Sequence, residues 1–210
     1  MADSAVSRHS LHTKILTHFQ TVDPILASVF STVRIDIPTR KHPETYFEEL
    51  CSSIIGQQLS IAVADVIYAR FVRLFPKNQI TPELALACPD DALRACGMSR
   101  SKVSFLKAVA QAVTENKLNF AEFPAQSNEE VLAILTQVKG IGPWTAEMFL
   151  MFTLGREDVF SLGDLGLKRA IQSLYSMKKE PSRKTMEWLS RKWKPYRTYA
   201  ALALWKYKDA

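Results

Sequence analysis

Asp164 stands between Gly163 and Gly166, beyond an apolar run at 145–154 that opens on the tight pair Gly140-Ile141-Gly142. Each part has a chemical use. A carboxylate fixed beside a reacting sugar stabilises positive charge developing there, most strongly where water is excluded. It can also orient or deprotonate an attacking water. A glycine pair between two helical patterns supplies the positive φ that a short hairpin needs, and the amides at the following helix N-terminus can hold a phosphate. A phosphate clamp followed by one carboxylate points to chemistry on a nucleic acid backbone or sugar. Position alone also suits Asp164 to capping a helix that starts at Leu165, and the two roles are compatible.

The elements that must position these residues read as helices nearly throughout. Ser127-Asn128-Glu129-Glu130 is a capping-box pattern for the first helix of the hairpin, which runs to Gln137. Upstream, a helix over 44–55 carries Phe47, Leu50, Cys51 and Ile54 on one face. Gly56-Gln57-Gln58 interrupts it, and Ser60 can cap the next helix, through Leu74. Thr81-Pro82, Asp90 and Ser99 or Ser101 mark three more helix starts, the last reaching about Glu115. Asp23-Pro24 opens a helix at the N-terminal end, and 34–43 reads as an extended linker. After Asp164, helical segments are expected at 165–175, 182–191 and 195–208. The pattern is all-α.

Charge is unevenly spread. Net charge is +6 over 210 residues, but 165–210 holds 12 Lys/Arg against 3 Asp/Glu, while the rest is slightly acidic. Such a segment fits docking to a polyanion, or is a solvated basic surface. Cys51, Cys88 and Cys96 form no C-x-x-C pair and read as free thiols of a reducing compartment. No apolar run approaches the roughly 20 residues of a membrane span, and residues 1–19 show no signal-peptide pattern. The expectation is a soluble, intracellular protein with no membrane partner, cytoplasmic in a bacterium or nuclear in a eukaryote.

These motifs also carry a resemblance. Gly140-Ile141-Gly142 with Thr145-Ala146, then Asp158-Val159-Phe160 and Asp164, resembles the helix-hairpin-helix (HhH-GPD) signature of base-excision DNA glycosylases. Within that superfamily the chain is most similar to the alkylation-repair, 3-methyladenine DNA glycosylase II type. Ile54-Ile55-Gly56-Gln57-Gln58, Gly97-Met98-Ser99 and Trp193-Lys194-Pro195-Tyr196-Arg197 match further, so the resemblance runs from about residue 45 to the C-terminus. It implies two helical domains flanking a DNA-binding cleft, one made of 1–43 plus 158–210 and carrying Asp164, the other of 44–157 and ending in the hairpin motif. It implies a monomer acting on double-stranded DNA with damaged bases. The activity implied is hydrolysis of the N-glycosidic bond of alkylated purines, by base flipping and stabilisation of an oxocarbenium-like sugar by Asp164.

The same resemblance assigns the remaining roles. Trp144 stands where strand-nicking relatives carry a nucleophilic lysine, so the chain reads as monofunctional, without lyase activity. An indole at that position suits stacking on a cationic base, unless it is simply core. Trp205 matches a base-stacking tryptophan, and Met148 and Leu165 occupy positions where bacterial relatives have pocket tyrosines. Gln58 matches the wedge that fills the gap left by a flipped base, or is a helix-end glutamine in solvent. Gly140, Gly142, Thr145 and Lys168 are expected at the DNA backbone. The carbonyls of Thr136, Val138 and Ile141 match those that hold a structural Na⁺ or K⁺; no catalytic cofactor is implied. With no cysteine after Cys96, an iron–sulfur cluster of the family's C-terminal kind cannot form. Asp158, Trp188, Trp193, Tyr196 and Tyr199 read as structural. Two rivals remain: a glycosylase for oxidised or deaminated bases, and a non-catalytic helix-hairpin-helix module that only binds DNA.

Overall fold

The computed structural model describes residues 2–36 and 38–209, with side chains over 11–36 and 38–208. Ile37 of the expected linker and the side chain of His9 lie outside the described residues. In chain order the helices are α1 (Ala2–Val22), α2 (Pro24–Phe30), α3 (Tyr46–Gly56), α4 (Ile61–Val72), α5 (Pro82–Ala87) and α6 (Asp90–Ala95). They continue with α7 (Arg100–Thr114), α8 (Asn128–Thr136), α9 (Pro143–Met148), α10 (Leu165–Leu174), α11 (Arg183–Lys192) and α12 (Arg197–Asp209). Every regular element among the described residues is helical, so the all-α expectation holds. None of these helices is long and apolar enough to cross a membrane.

The chain divides into two compact units, Met1–Pro38 with Arg156–Ala210, and Thr39–Gly155. The first is built on Phe19 of α1, Leu26 and Phe30 of α2, Leu167 and Ile171 of α10, Leu189 of α11 and Leu204 of α12, all buried. Phe19 stacks on Phe30 with centroids 4.8 Å apart. Its polar anchor is Asp23, which does more than cap α2. One oxygen accepts from the Leu26 amide (3.1 Å), the other from the Trp193 indole (2.9 Å) and the Tyr175 hydroxyl (2.6 Å). A buried carboxylate is stable only with such a set of donors. Burial and the Asp23 carboxylate push the Tyr175 hydroxyl up, which keeps it protonated as a donor.

The second unit is organised on α3, whose predicted face of Phe47, Leu50, Cys51 and Ile54 is buried throughout. Against it pack α4 and α7, and Tyr46 meets Phe149 edge-on at 5.5 Å. The local signals behave as read: Thr81 and Ser99 accept from the amides three residues on, and Ser127 and Glu130 form the full capping box. Ser60 precedes α4 in extended geometry without a side-chain cap bond.

The N-terminal residues, to which the sequence assigned no element, form the helix α1; Ile15 and Phe19, one turn apart, seat it. One element differs from expectation. The second hairpin helix stops as α-helix at Met148 and continues as a π-helical turn over Phe149–Thr153, with the Leu154 amide donating to the Phe149 carbonyl (3.0 Å). Phe149, Leu150 and Met151 are buried in succession along it, and Phe152 is exposed. Gly166 lies in the first turn of α10, within the helical segment expected over 165–175.

Candidate active site

In the first unit, Asp164 is the N-cap of α10, and its Oδ1 accepts from the Leu167 amide at 2.7 Å. The same oxygen accepts from the Trp205 indole Nε1 at 3.1 Å, from the facing helix α12. Cap and candidate catalyst are therefore one side chain. Leu165 follows directly and is 57% exposed. Half-buried Lys168 donates its amide to the Asp164 carbonyl (3.1 Å). The structure thus gathers Asp164, Leu165, Lys168 and Trp205 around one helix end. Asp158 is taken up by Arg197, which grips both carboxylate oxygens (2.6 and 3.0 Å), a bidentate structural pair.

In the second unit, the hairpin between α8 and α9 turns on Gly140, with φ +96°. A Cβ there would fall 2.2 Å from the Phe105 ring, so both backbone and space demand glycine. Gly142 differs from expectation. It is the extended N-cap of α9 (φ −86°), with no atom within 4 Å of where a Cβ would lie. Its glycine serves no positive φ; it leaves the first amides of α9, which lack intrahelical acceptors, open to close approach. Thr145 is buried, and its hydroxyl accepts from Gln57 Nε2 at 3.2 Å. That side chain therefore faces inward, and only its amide remains available to a phosphate. Gln57 also donates to the Gly140 carbonyl (3.0 Å), a contact that sequence reading did not find.

Gln58 is exposed at the tip of the α3–α4 turn, in the left-handed region at φ +58°. Trp144 is 46% exposed, which sets aside the reading of it as core. Gln57, Gln58, Ser99, Ser101, Lys102, Phe105 and Trp144 line one pocket of about 360 Å³. Burial holds the Lys102 ammonium below the ordinary lysine range, and its Nζ caps the α3 end at the Ile55 carbonyl (2.7 Å). Met148 does not reach that pocket. It is buried and lines a second one, about 180 Å³, with Glu49, Ser52, Ser53, Phe149 and Phe152. The carboxylate and hydroxyls of that wall carry no local sequence signal, because α3 was legible only through its apolar face.

The hairpin carbonyls fit a monovalent cation only in part. The Val138 carbonyl already accepts from the Ile141 amide (3.0 Å), which leaves one of its two lone pairs. The Thr136 hydroxyl turns back to the Leu132 carbonyl (2.7 Å), so that residue can offer only its own carbonyl. Among the described residues no cluster of His, Cys, Asp and Glu could hold a metal. The thiols of Cys51, Cys88 and Cys96 are all pushed up, chiefly by burial, which makes them poor nucleophiles.

The aromatic residues read as packing divide. Trp193 and Tyr199 are buried, and Tyr196 meets His18 edge-on. Trp188 is not core: it is 58% exposed, because its place on α11 faces solvent, where Lys192 Nζ sits 3.7 Å over the ring.

Known proteins share this architecture. DNA-3-methyladenine glycosylase 1 of Schizosaccharomyces pombe is 37% identical over 162 residues, 76% of this chain and 71% of that protein. The alkylbase DNA glycosidase-like protein mag2 of the same yeast is 30% identical over 205 residues, 96% of each chain. Among solved structures, the S. pombe 3-methyladenine DNA glycosylase Mag1 in complex with abasic DNA superposes with a TM-score of 0.80 at 34% identity, over 92% of this chain and 95% of that one. The profile of the HhH-GPD superfamily of base excision DNA repair proteins matches residues 51–195, spanning both the hairpin at Gly140 and the helix end that presents Asp164, and the chain belongs to that superfamily.

Proposed function

We propose that this protein is a monofunctional DNA glycosylase that excises alkylated purines from duplex DNA in base excision repair. Relatives named DNA-3-methyladenine glycosylase, and the neighbour bound to abasic DNA, support the substrate class. The observation that carries the chemistry is the carboxylate of Asp164, held at the N-terminus of α10 by the Leu167 amide and the Trp205 indole.

In this reading, the duplex backbone rests on the amides following Gly142, and the damaged nucleotide leaves the stack, with Gln58 filling the gap. Trp144 offers its indole face to the cationic ring. The C1′–N bond breaks with its electron pair leaving on the base. A base already positively charged by alkylation departs neutral and needs no proton donor. Asp164 stabilises the positive sugar, and water adds to C1′, its proton passing to Asp164 or solvent. Trp144 has no amine with which to form a Schiff base, and Lys139 donates to Ser104 Oγ (3.1 Å), which supports the monofunctional reading. A Na⁺ or K⁺ on the carbonyls of Thr136, Val138 and Ile141 belongs to the reading as a structural element that supports the phosphate contact. No iron–sulfur cluster or catalytic cofactor belongs to it, and the protein acts as a monomer in a compartment that holds DNA.

The test is release of methylated purines from methylated duplex DNA by wild type and Asp164→Asn. Expected is release by wild type, with the variant slower by on the order of 10²–10³ while still folded and binding DNA. Binding without release by wild type would replace this reading with that of a DNA-binding module.

A further inference from the structure

We infer that Trp205 acts in base excision as the positioning residue of Asp164, through its indole N–H. The inference rests on the proposed role of Asp164. Trp205 Nε1 donates to Asp164 Oδ1 at 3.1 Å across 41 residues of sequence, and the Leu167 amide donates to the same oxygen at 2.7 Å. One donor comes from the helix that Asp164 caps, the other from α12. A carboxylate held by a single cap bond can still rotate about its terminal torsion, which is broad. Two donors from different directions on one oxygen remove that freedom, so the second oxygen keeps one bearing. A group that must stabilise charge at one carbon gains most from being oriented before the bond breaks.

The neighbouring glycine supports the assignment independently. A Cβ on Gly166 would stand 3.0 Å from Asp164 Oδ1 and 3.3 Å from both Nε1 and Cδ1 of Trp205. Its φ is unexceptional and it lies within α10, where glycine is the poorer helix former. The backbone does not require glycine here. A Cβ there would be tighter than ordinary contact, so the indole or the carboxylate would have to give by a few tenths of an ångström, and the glycine leaves both where their hydrogen bond forms.

The decisive variant is Trp205→Phe, which keeps an aromatic face and loses the donor. Single-turnover release of a methylated purine is measured alongside affinity for a duplex carrying an abasic-site analogue. Positioning predicts a fall in rate of at least tenfold with affinity unchanged, and little further loss when Trp205→Phe is added to Asp164→Asn. Gly166→Ala, with Trp205 intact, should slow release similarly without lowering the melting temperature. A wild-type rate for Trp205→Phe, or an equal fall on the Asp164→Asn background, overturns the inference. If Asp164→Asn itself releases base at the wild-type rate, the catalytic reading of Asp164 has failed, and the two failures are told apart.

Discussion

Gln57 Nε2 donates to the carbonyl of Gly140 at 3.0 Å, tying the turn after α3 to the apex of the hairpin 83 residues later. With its second bond to Thr145 Oγ1, it makes the residue before Gln58 the brace of the hairpin turn. Gln57→Leu should lose about 1–2 kcal/mol of stability, since a partly buried carbonyl and hydroxyl each lose a donor. It should also weaken binding to undamaged duplex about tenfold; thermal melts and a DNA titration measure both. Stability loss with DNA affinity unchanged would make the brace purely structural.

The two hairpin glycines should behave differently. Gly140→Ala meets Phe105 at 2.2 Å and must hold φ +96°, so a loss of about 2–4 kcal/mol is expected. Gly142→Ala meets nothing within 4 Å and should melt within about 0.5 kcal/mol of wild type while binding DNA less tightly. Denaturant unfolding of the pair checks the contrast.

Gln58 holds φ +58° at an exposed tip. A non-glycine residue there is strained by roughly 1 kcal/mol, so Gln58→Gly should be neutral or slightly stabilising. If the side chain fills the gap left by a flipped base, the same variant should excise several-fold more slowly. Equal excision rates would leave Gln58 as a surface glutamine.

Asp23 accepts from Leu26, Tyr175 and Trp193. Asp23→Ala strands three donors, those of Leu26 and Trp193 buried and that of Tyr175 partly so, and should cost about 3–5 kcal/mol, read from chemical unfolding.

Tyr175 should also shape the alkaline limb of stability. Burial and Asp23 raise its hydroxyl, so the folded state binds this proton more tightly than the unfolded state. The resulting stability is complete below about pH 10 and is lost as pH climbs beyond it, by at most about 1.4 kcal/mol per pH unit for one proton. Tyr175→Phe should flatten that fall; Tyr68 and Tyr199, raised by burial and by Glu48 and Glu157, keep the remainder. An unchanged slope in the variant would remove Tyr175 from the linkage.

What the sequence determined by itself was local. The capping box at Ser127–Glu130, the starts at Asp23-Pro24 and Thr81-Pro82, the buried face of α3 and the turn at Gly140 each depend on residues within a few positions of one another. Backbone sterics and hydrogen bonding over one turn of chain suffice to write them. Tertiary structure decided which groups meet. Trp205 reaches Asp164 from 41 positions away, Gln57 reaches Gly140 from 83, and Trp193 reaches Asp23 from 170. It separated Met148 from Trp144 into different pockets, and it exposed Trp188 while burying Trp193. It also gave two glycines unlike reasons: Gly140 for its φ and the Phe105 ring, Gly166 for the approach of an indole to a carboxylate. Such partners are chosen by helix packing, whose contacts depend on crossing geometry and on side chains far apart in the chain, and no local pattern encodes them.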